Sequence, residues 1–278
     1  MTPTKGIVFA TTTPSYTMMA RKAARNLRLV DPDLDIDLFT DQNIDDPIFS
    51  KVISLEGKGA RPKMEAMRRS RFDLTLTLDS DVIAIAPFRE VFDLLERYDL
   101  AIAHANTRPK SMGMDAADIP RAFPLYNSGV VAIRKSAATQ TILHDWERAW
   151  RTGHLKADQP SLRRLLWNSD LRLCPLPSEY NTCRLINLLK TGPNHGAPRL
   201  LHIMKLDKTP LQDPDLPFSL HDILEPDIAR HIQWLLETDY SLGGDPEIPR
   251  PTPNQPSLKR FMTKGEASER FNIRIGPV

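Results

Sequence analysis

Short apolar runs rich in β-branched residues alternate with segments of helical periodicity up to about residue 205, and this alternation constrains the fold most. KGIVFATTT (5–13) and LTLTLD (74–79) have the composition of buried strands, while SAATQTILHDWERAWR (136–151) spaces its apolar residues as a helix does. Strands that alternate with helices form an open, largely parallel sheet, because each helix returns the chain to the same starting edge. The sequence therefore predicts an α/β fold, with a mostly parallel open sheet flanked by helices.

The composition argues against several classes of protein. With 37 basic and 35 acidic residues among 278, the net charge is only +2, which gives no case for a nucleic-acid partner. No stretch is long and apolar enough for a membrane span, and the N-terminus is a poor signal peptide. Cys174 and Cys183 are the only cysteines, which favours a reduced compartment, and we expect a cytoplasmic protein.

The amino-acid composition of the sequence changes after Lys208. Ten of the 24 prolines lie in residues 209–278, together with one strong helical pattern at 226–240. We therefore predict an α/β domain over residues 1–208 and a proline-rich C-terminal extension with one helix over residues 209–278. Residues 257–274 mix basic and apolar side chains and could contact the inner face of a membrane weakly, although such tails are more often simply solvated.

Two carboxylates directly follow the predicted strand LTLTL. Asp79 and Asp81, separated by the small Ser80, repel each other unless something compensates their charge. Ligand sites in α/β sheets gather beyond the carboxyl ends of the strands, and a hard divalent cation such as Mg²⁺ or Mn²⁺ would compensate both carboxylates. A polar turn between two strands is the alternative, and a bare Asp-x-Asp pattern fits it well.

Six segments in order resemble the GT-A glycosyltransferases, especially family 8 with its glycogenin-like and lipopolysaccharide galactosyltransferase members. The resemblance covers about residues 5–210 and implies the GT-A nucleotide-diphospho-sugar transferase fold. Its segments are GIVFATTTPSYTMMARKAARNL, RPKMEAMRRSRFDLTLTLDSD, LYNSGVVAIRKS (125–136), ADQPSLRRLL (157–166), LPSEYN (176–181) and LLHIMKLDKTP (200–210).

The resemblance implies a role for particular residues of this chain. The predicted metal ligands are Asp79, Asp81 and His202, holding Mn²⁺ or Mg²⁺. The predicted nucleotide and diphosphate contacts are Ala10, Thr11, Tyr16, Arg61, Lys63, Ser80 and Lys208. The predicted contacts to the donor sugar are Asn127, Asp158 and Gln159. Each has a simpler alternative: His202 as an ordinary histidine at a strand end, the basic residues of 58–73 as a solvated helix face, and Asp158 as a helix N-cap.

The implied activity is metal-dependent transfer of a hexosyl unit from a nucleotide-diphosphate sugar, with a UDP-sugar as the expected donor, to a saccharide or glycolipid acceptor. Family members retain the anomeric configuration, and their leaving diphosphate is thought to help deprotonate the acceptor. We expect the acceptor to meet the loop at 106–124, whose length suits a recognition loop.

Two other functions stay open at this point. Two residues depart from the family pattern, with Lys205 in place of Gly and Leu211 in place of Trp. Lys205 is the one feature that would fit a catalytically inactive nucleotide-sugar-binding module. LTLTLDSDV also resembles the first motif of haloacid-dehalogenase-like phosphatases, in which Asp79 would be the nucleophile and Asp81 the general acid. That motif usually opens its domain, whereas Asp79 follows the strands predicted at 5–13, 34–41 and 51–55.

Overall fold

The computed structural model describes residues 2–57, 61–106, 118–153, 157–204, 206–208 and 213–254. The chain divides into two compact units. One comprises Met1–Cys183 with Arg199–Phe218, and the other comprises Arg184–Pro198 with Ser219–Val278. The sequence-based division at residue 208 stays a prediction. No helix in the described ranges is long and apolar enough to cross a membrane.

The described part of the first unit contains nine strands. They are β1 (Lys5–Thr11), β2 (Asp35–Thr40), β3 (Lys51–Ser54), β4 (Leu74–Leu78), β5 (Val82–Ala84), β6 (Leu100–His104), β7 (Tyr126–Arg134), β8 (Leu173–Pro175) and β9 (Leu200–His202). Seven of these form one sheet in the order β3-β2-β1-β4-β7-β6-β8, and β5 pairs with β9 in a separate small sheet. Only β7 runs antiparallel to its neighbours in the large sheet. The predicted α/β fold with a mostly parallel sheet is confirmed.

The described helices lie in both units. They are α1 (Pro14–Val30), α2 (Lys63–Arg69), α3 (Val91–Leu94), α4 (Ala137–Thr152) and α5 (Gln159–Trp167) in the first unit, and α6 (Leu185–Leu188), α7 (Leu220–Ile223) and α8 (Pro226–Thr238) in the second. The amphipathic pattern of REVFDLLERY (89–98) predicts a longer helix than α3, which the structure confines to Val91–Leu94. Most backbone hydrogen bonds there join residues three apart, which breaks the segment into a short helix and flanking turns.

Helices α2, α4 and α5 bury their apolar sides in one cluster with β6 and β7. The cluster includes Met64, Met67, Ile102, Val131, Ile133, Leu143, Trp146, Leu162 and Leu166. Trp146 of α4 also donates its indole N–H to the carbonyl of Asp158, at 2.9 Å, just before α5 begins. This packing fixes the N-terminal residues of α2 and α5, both of which carry predicted site residues.

The second unit is built around α8. Trp234 and Leu235 of that helix pack in a cluster with Ala197. The Asp239 carboxylate accepts the backbone N–H of Ala197 at 2.8 Å, and the Trp234 indole donates to the carbonyl of Ile248 at 2.9 Å. The helix predicted at 226–240 is thus present as Pro226–Thr238.

Candidate metal and donor site

The two aspartates lie at the carboxyl end of β4, the central strand between β1 and β7. The backbone N–H of Asp79 donates to the carbonyl of Gly129 on β7 at 2.8 Å, and Val82 N–H donates to the carbonyl of Asp79 at 3.0 Å. The first bond joins the end of β4 to β7, and the second closes a tight turn between β4 and β5. Because Phe9 pairs with Leu78, the next residues along the two parallel strands, Ala10 and Asp79, lie at the same edge of the sheet.

The small sheet brings His202 to the aspartates. Val82 of β5 pairs with His202 of β9, and the N–H of Ile203 donates to the carbonyl of Asp81 at 2.9 Å. His202 Nε2 lies 3.4 Å from Asp81 Oδ1. One ligand atom from each of Asp79, Asp81 and His202 lies within 4.8 Å of the others. In the described ranges this is the one group of three acidic, histidine or cysteine side chains with such spacing.

The donor atoms of this group fit a divalent cation. Two carboxylate oxygens and one imidazole nitrogen form a mixed set that Mn²⁺ accepts more readily than Ca²⁺ does. The carboxylates already have a cationic neighbour, since Lys63 Nζ lies 2.5 Å from Asp79 Oδ1 and donates to the carbonyl of Ser128 at 3.1 Å. Lys63 is only 5% exposed, so water does little to weaken this pairing.

The histidine binds its proton tightly. Burial alone would lower the pKa of His202, but the hydrogen bond to Asp81, the contact with Cys183 and the negative charges of Asp81 and Asp79 together raise that pKa to about 10. A ligating imidazole must give up the proton on its coordinating nitrogen. The charges that hold this proton are therefore the same charges that would attract a metal ion.

A buried carboxylate lies beside this group. Asp158 accepts a hydrogen bond from Ser128 Oγ at 3.0 Å, and its Oδ1 lies 3.9 Å from an Arg61 guanidinium nitrogen. Burial would raise the pKa of Asp158, but Lys63, Arg61 and Ser128 hold it below its usual value. Asp158 occupies the N-cap position of α5, yet its side chain makes no capping hydrogen bond. The carboxylate therefore belongs to a polar cluster with Ser128 and Arg61 and does not cap the helix.

Three residues that the sequence analysis did not assign surround the metal group. Asn181 Oδ1 lies 3.1 Å from His202 Nδ1, Ser128 connects Lys63 to Asp158, and the backbone of Gly129 contacts both Asp79 and the Asn127 side chain. Asn181 lies in LPSEYN, and Ser128 and Gly129 lie in LYNSGVVAIRKS, so all three belong to segments that resemble the glycosyltransferase family. Their chemistry depends on contacts between distant parts of the chain, which the sequence alone does not give.

The remaining predicted residues lie around this edge or apart from it. Thr11 is buried, with its hydroxyl 2.8 Å from that of Thr17 and 3.2 Å from that of Thr40. Tyr16, in the first turn of α1, and Lys208, in a 3₁₀ turn, are exposed and make no hydrogen bond or ion pair with the metal group within the described residues. Ser80 is buried between the two aspartates, and Gln159 is the first residue of α5. The roles of all the site residues stay predictions.

Several predicted features fall outside the described residues. These are most of the acceptor loop (107–117), Lys205 and Leu211 where the sequence departs from the family pattern, and the C-terminal segment 257–274.

Comparison with known proteins places this architecture among glycosyltransferases of the GT-A fold. The glycosyltransferase GlyE of Streptococcus pneumoniae TIGR4 superposes with a TM-score of 0.55 at 20% identity, over 86% of this chain and 62% of GlyE. The galactosyltransferase LgtC, solved with donor and acceptor sugar analogues, gives 0.52 at 12% identity, over 83% of this chain and 94% of LgtC. The bifunctional glycosyltransferase WbbM gives 0.50 at 12% identity, over 87% of this chain and 52% of WbbM.

At such low identity these similarities establish the fold alone, and the fold is that of GT-A glycosyltransferases. No family model matches the sequence, and no curated protein sequence matches it either. The chain spans less than two thirds of the length of GlyE. The GT-A fold does not favour the phosphatase interpretation of Asp79 and Asp81.

Proposed function

We propose that this chain is a metal-dependent glycosyltransferase that moves a hexosyl unit from a nucleotide-diphosphate sugar to a saccharide or glycolipid acceptor. The observation that carries the proposal is the convergence of Asp79, Asp81 and His202 at the carboxyl edge of a GT-A sheet. LgtC, which shares the fold, is a galactosyltransferase that binds sugar analogues as donor and acceptor. That likeness supports the same class of substrate here, with UDP as the expected nucleotide.

The negative charge of the leaving diphosphate is the main electrostatic problem of such a reaction. Asp79, Asp81 and His202 would hold Mn²⁺ or Mg²⁺, and a bound divalent cation supplies positive charge that stabilises the departing phosphate oxygens. Lys63 and Arg61 border the same group and add preorganised positive charge. We assign Lys208 to the diphosphate as well, on the resemblance of LLHIMKLDKTP.

The donor sugar needs hydrogen-bond partners and the nucleotide needs a platform. Gln159 begins α5 beside Asp158, and its amide can both donate to and accept from sugar hydroxyls. Ala10 and Thr11 at the end of β1 would border the nucleotide, and exposed Tyr16 would stack on its base. Asp158 would act by fixing the positions of Arg61 and Ser128 around the donor.

We propose that transfer proceeds with retention. Asp158 is 2% exposed and is engaged by Ser128 and Arg61, so it is poorly placed to deprotonate an acceptor, as an inverting transfer requires, or to attack the anomeric carbon, as a double displacement requires. A route in which the leaving diphosphate takes the acceptor proton on the same face needs no dedicated base, which agrees with this arrangement.

The proposal is tested by thermal stability of the protein against UDP, ADP, GDP and CDP, each with Mn²⁺ and with EDTA. A ligand that binds the folded state raises the melting temperature, so no acceptor is required. We expect one nucleotide, UDP, to give a Mn²⁺-dependent rise of several degrees. Asp81→Ala should remain folded but lose that rise, because the substitution removes one of the three predicted metal ligands; the shift of each protein is measured from its own melting temperature without ligand.

Two outcomes would contradict the proposal. The first is the absence of a shift with any nucleotide, in which case release of phosphate from p-nitrophenyl phosphate would test the phosphatase interpretation. The second is an unchanged Mn²⁺-dependent shift in Asp81→Ala. A shift without hydrolysis or transfer of any nucleotide-sugar would instead indicate the inactive binding module.

A further inference from the structure

We propose that Asn181 is a positioning residue for metal binding, because its Oδ1 holds the Nδ1 proton of His202 and so leaves Nε2 as the coordinating atom. The inference rests on the proposed function, since it concerns the same metal group. Neither the Asp-x-Asp motif nor His202 itself determines which imidazole nitrogen carries the proton. That choice is set by a chain of hydrogen bonds that begins at the backbone of β7.

The first bond of the chain has a fixed direction. The backbone N–H of Gly129 can only donate, and it lies 2.9 Å from the Asn127 side-chain oxygen. The Asn127 amide is therefore oriented with Oδ1 toward Gly129 and Nδ2 on the other side, where Nδ2 lies 3.4 Å from Cys183 Sγ. This removes the usual ambiguity in the orientation of an asparagine amide.

The orientation of the Asn127 amide determines the orientation of the Asn181 amide. The same Asn127 Oδ1 accepts a second bond from Asn181 Nδ2, at 3.1 Å. Asn181 must then present its Oδ1 to His202 Nδ1, which lies 3.1 Å away. Because a carbonyl oxygen accepts and never donates, Nδ1 has to carry the hydrogen of this bond. In the singly protonated ring, the lone pair is therefore on Nε2, the nitrogen that lies 3.4 Å from Asp81 Oδ1.

The surrounding structure prevents the ring from turning away. Asn181 is 3% exposed, and the His202 backbone N–H donates to the carbonyl of Thr182, the residue after Asn181, at 3.0 Å. A Cβ atom at Gly129 would lie 2.3 Å from His202 Cε1, so the ring packs directly against the backbone of β7. Such a contact excludes every residue but glycine at this position unless the ring moves.

In this arrangement Asn127 has a second role, which is to orient Asn181, besides the expected contact with the donor sugar. Its Oδ1 accepts hydrogen bonds from the backbone N–H of Gly129 and from Asn181 Nδ2. Because the first bond fixes the orientation of the Asn127 amide, it also fixes the orientation of the Asn181 amide. Hydrogen-bond partners behind a metal-binding histidine typically change metal affinity by about 10–100-fold when they are removed. Asn181 should therefore matter for the metal although it does not touch it.

The test combines Mn²⁺ titration calorimetry with two substitutions at one position. Asn181→Leu has a similar size but no acceptor, and we expect it to weaken Mn²⁺ binding by about 10–100-fold. Asn181→Asp loses the bond to Asn127 but keeps an acceptor facing His202, and its added negative charge attracts a cation, so it should bind Mn²⁺ no more than about threefold more weakly than the wild type. Asn187→Leu, at an exposed position, is the matched control and should bind as the wild type does.

The wild-type protein gives a second readout that does not depend on any variant folding. Nitrogen-15 NMR of the His202 ring, with diamagnetic Zn²⁺ in place of Mn²⁺, should show a protonated Nδ1 and a metal-bound Nε2. A protonated Nε2 with coordination through Nδ1 would overturn the inference, as would wild-type affinity in Asn181→Leu. If the wild type binds Mn²⁺ and only the Asn181 results fail, the proposed function stands; if the wild type binds no divalent cation, both are wrong.

Discussion

Lys63 is the residue on which the charge balance of the site depends most. Its ammonium lies 2.5 Å from Asp79 Oδ1, is held by the carbonyl of Ser128 at 3.1 Å, and lowers the pKa of Asp158. It is only 5% exposed, so this is a buried cation among carboxylates. A buried ion pair adds little net stability when it forms, but the loss of one partner leaves an uncompensated charge.

We therefore predict that Lys63→Met lowers the free energy of unfolding of the metal-free protein by about 3 kcal/mol. The same variant should gain more from Mn²⁺ than the wild type does, because the ion replaces the missing positive charge. Chemical denaturation with EDTA and with Mn²⁺ measures both effects. Lys5→Met is the matched control: its pair with Asp93 lies at the surface, and its loss should cost less than about 1 kcal/mol. Equal effects of the two substitutions would contradict the prediction.

At the scale of secondary-structure elements, hydrophobic periodicity was sufficient to predict the bounds of a helix that is long and packs on one side. Helices α4 and α8 begin and end within two residues of the patterns predicted at 136–151 and 226–240. The sequence did not show that β5 and β9, with three residues each, pair with one another in a separate small sheet. The antiparallel direction of β7 was not predicted either, because the direction of a strand depends on which strands it pairs with and not on its local composition.

Helix α8 carries a buried histidine that should make stability depend on pH. Burial and the positive charge of Arg250 lower the pKa of His231 to about 4, while an unfolded chain has an ordinary value of 6.5. Above pH 6.5 both states are neutral at this ring and stability is complete. Between pH 6.5 and 4 the unfolded chain takes up a proton that the folded chain refuses, so stability falls as the pH falls.

The expected contribution of His231 to this loss reaches about 3 kcal/mol near pH 4. Urea unfolding of the wild type and of His231→Phe at pH 7.5, 6 and 5 isolates it, because the variant lacks the titrating ring. The difference between the two proteins should move in favour of the variant as the pH drops. His144→Phe, at an exposed ring, should show no such trend. A parallel pH dependence in the wild type and His231→Phe would exclude the effect.

At the scale of the whole molecule, the candidate site is assembled from segments that are far apart in the sequence. Asp79 and Asp81 follow β4, Lys63 begins α2, Asp158 precedes α5 and His202 ends β9. The six segments resembling GT-A enzymes predicted the fold, and the sheet order and structural comparisons confirm it. The same segments contain the three predicted metal ligands, Asp79, Asp81 and His202. The contacts of Asn181, Ser128 and Gly129 could not be predicted, since they arise only when these segments meet.

Crystallography with Mn²⁺ and UDP, using diffraction data collected at the manganese absorption edge, tests the central claim most directly. The account predicts an anomalous peak bonded to Asp79, Asp81 and His202 Nε2, with the diphosphate of UDP on the same ion. A manganese peak held by other residues, or ordered UDP with no ion at this group, would contradict it.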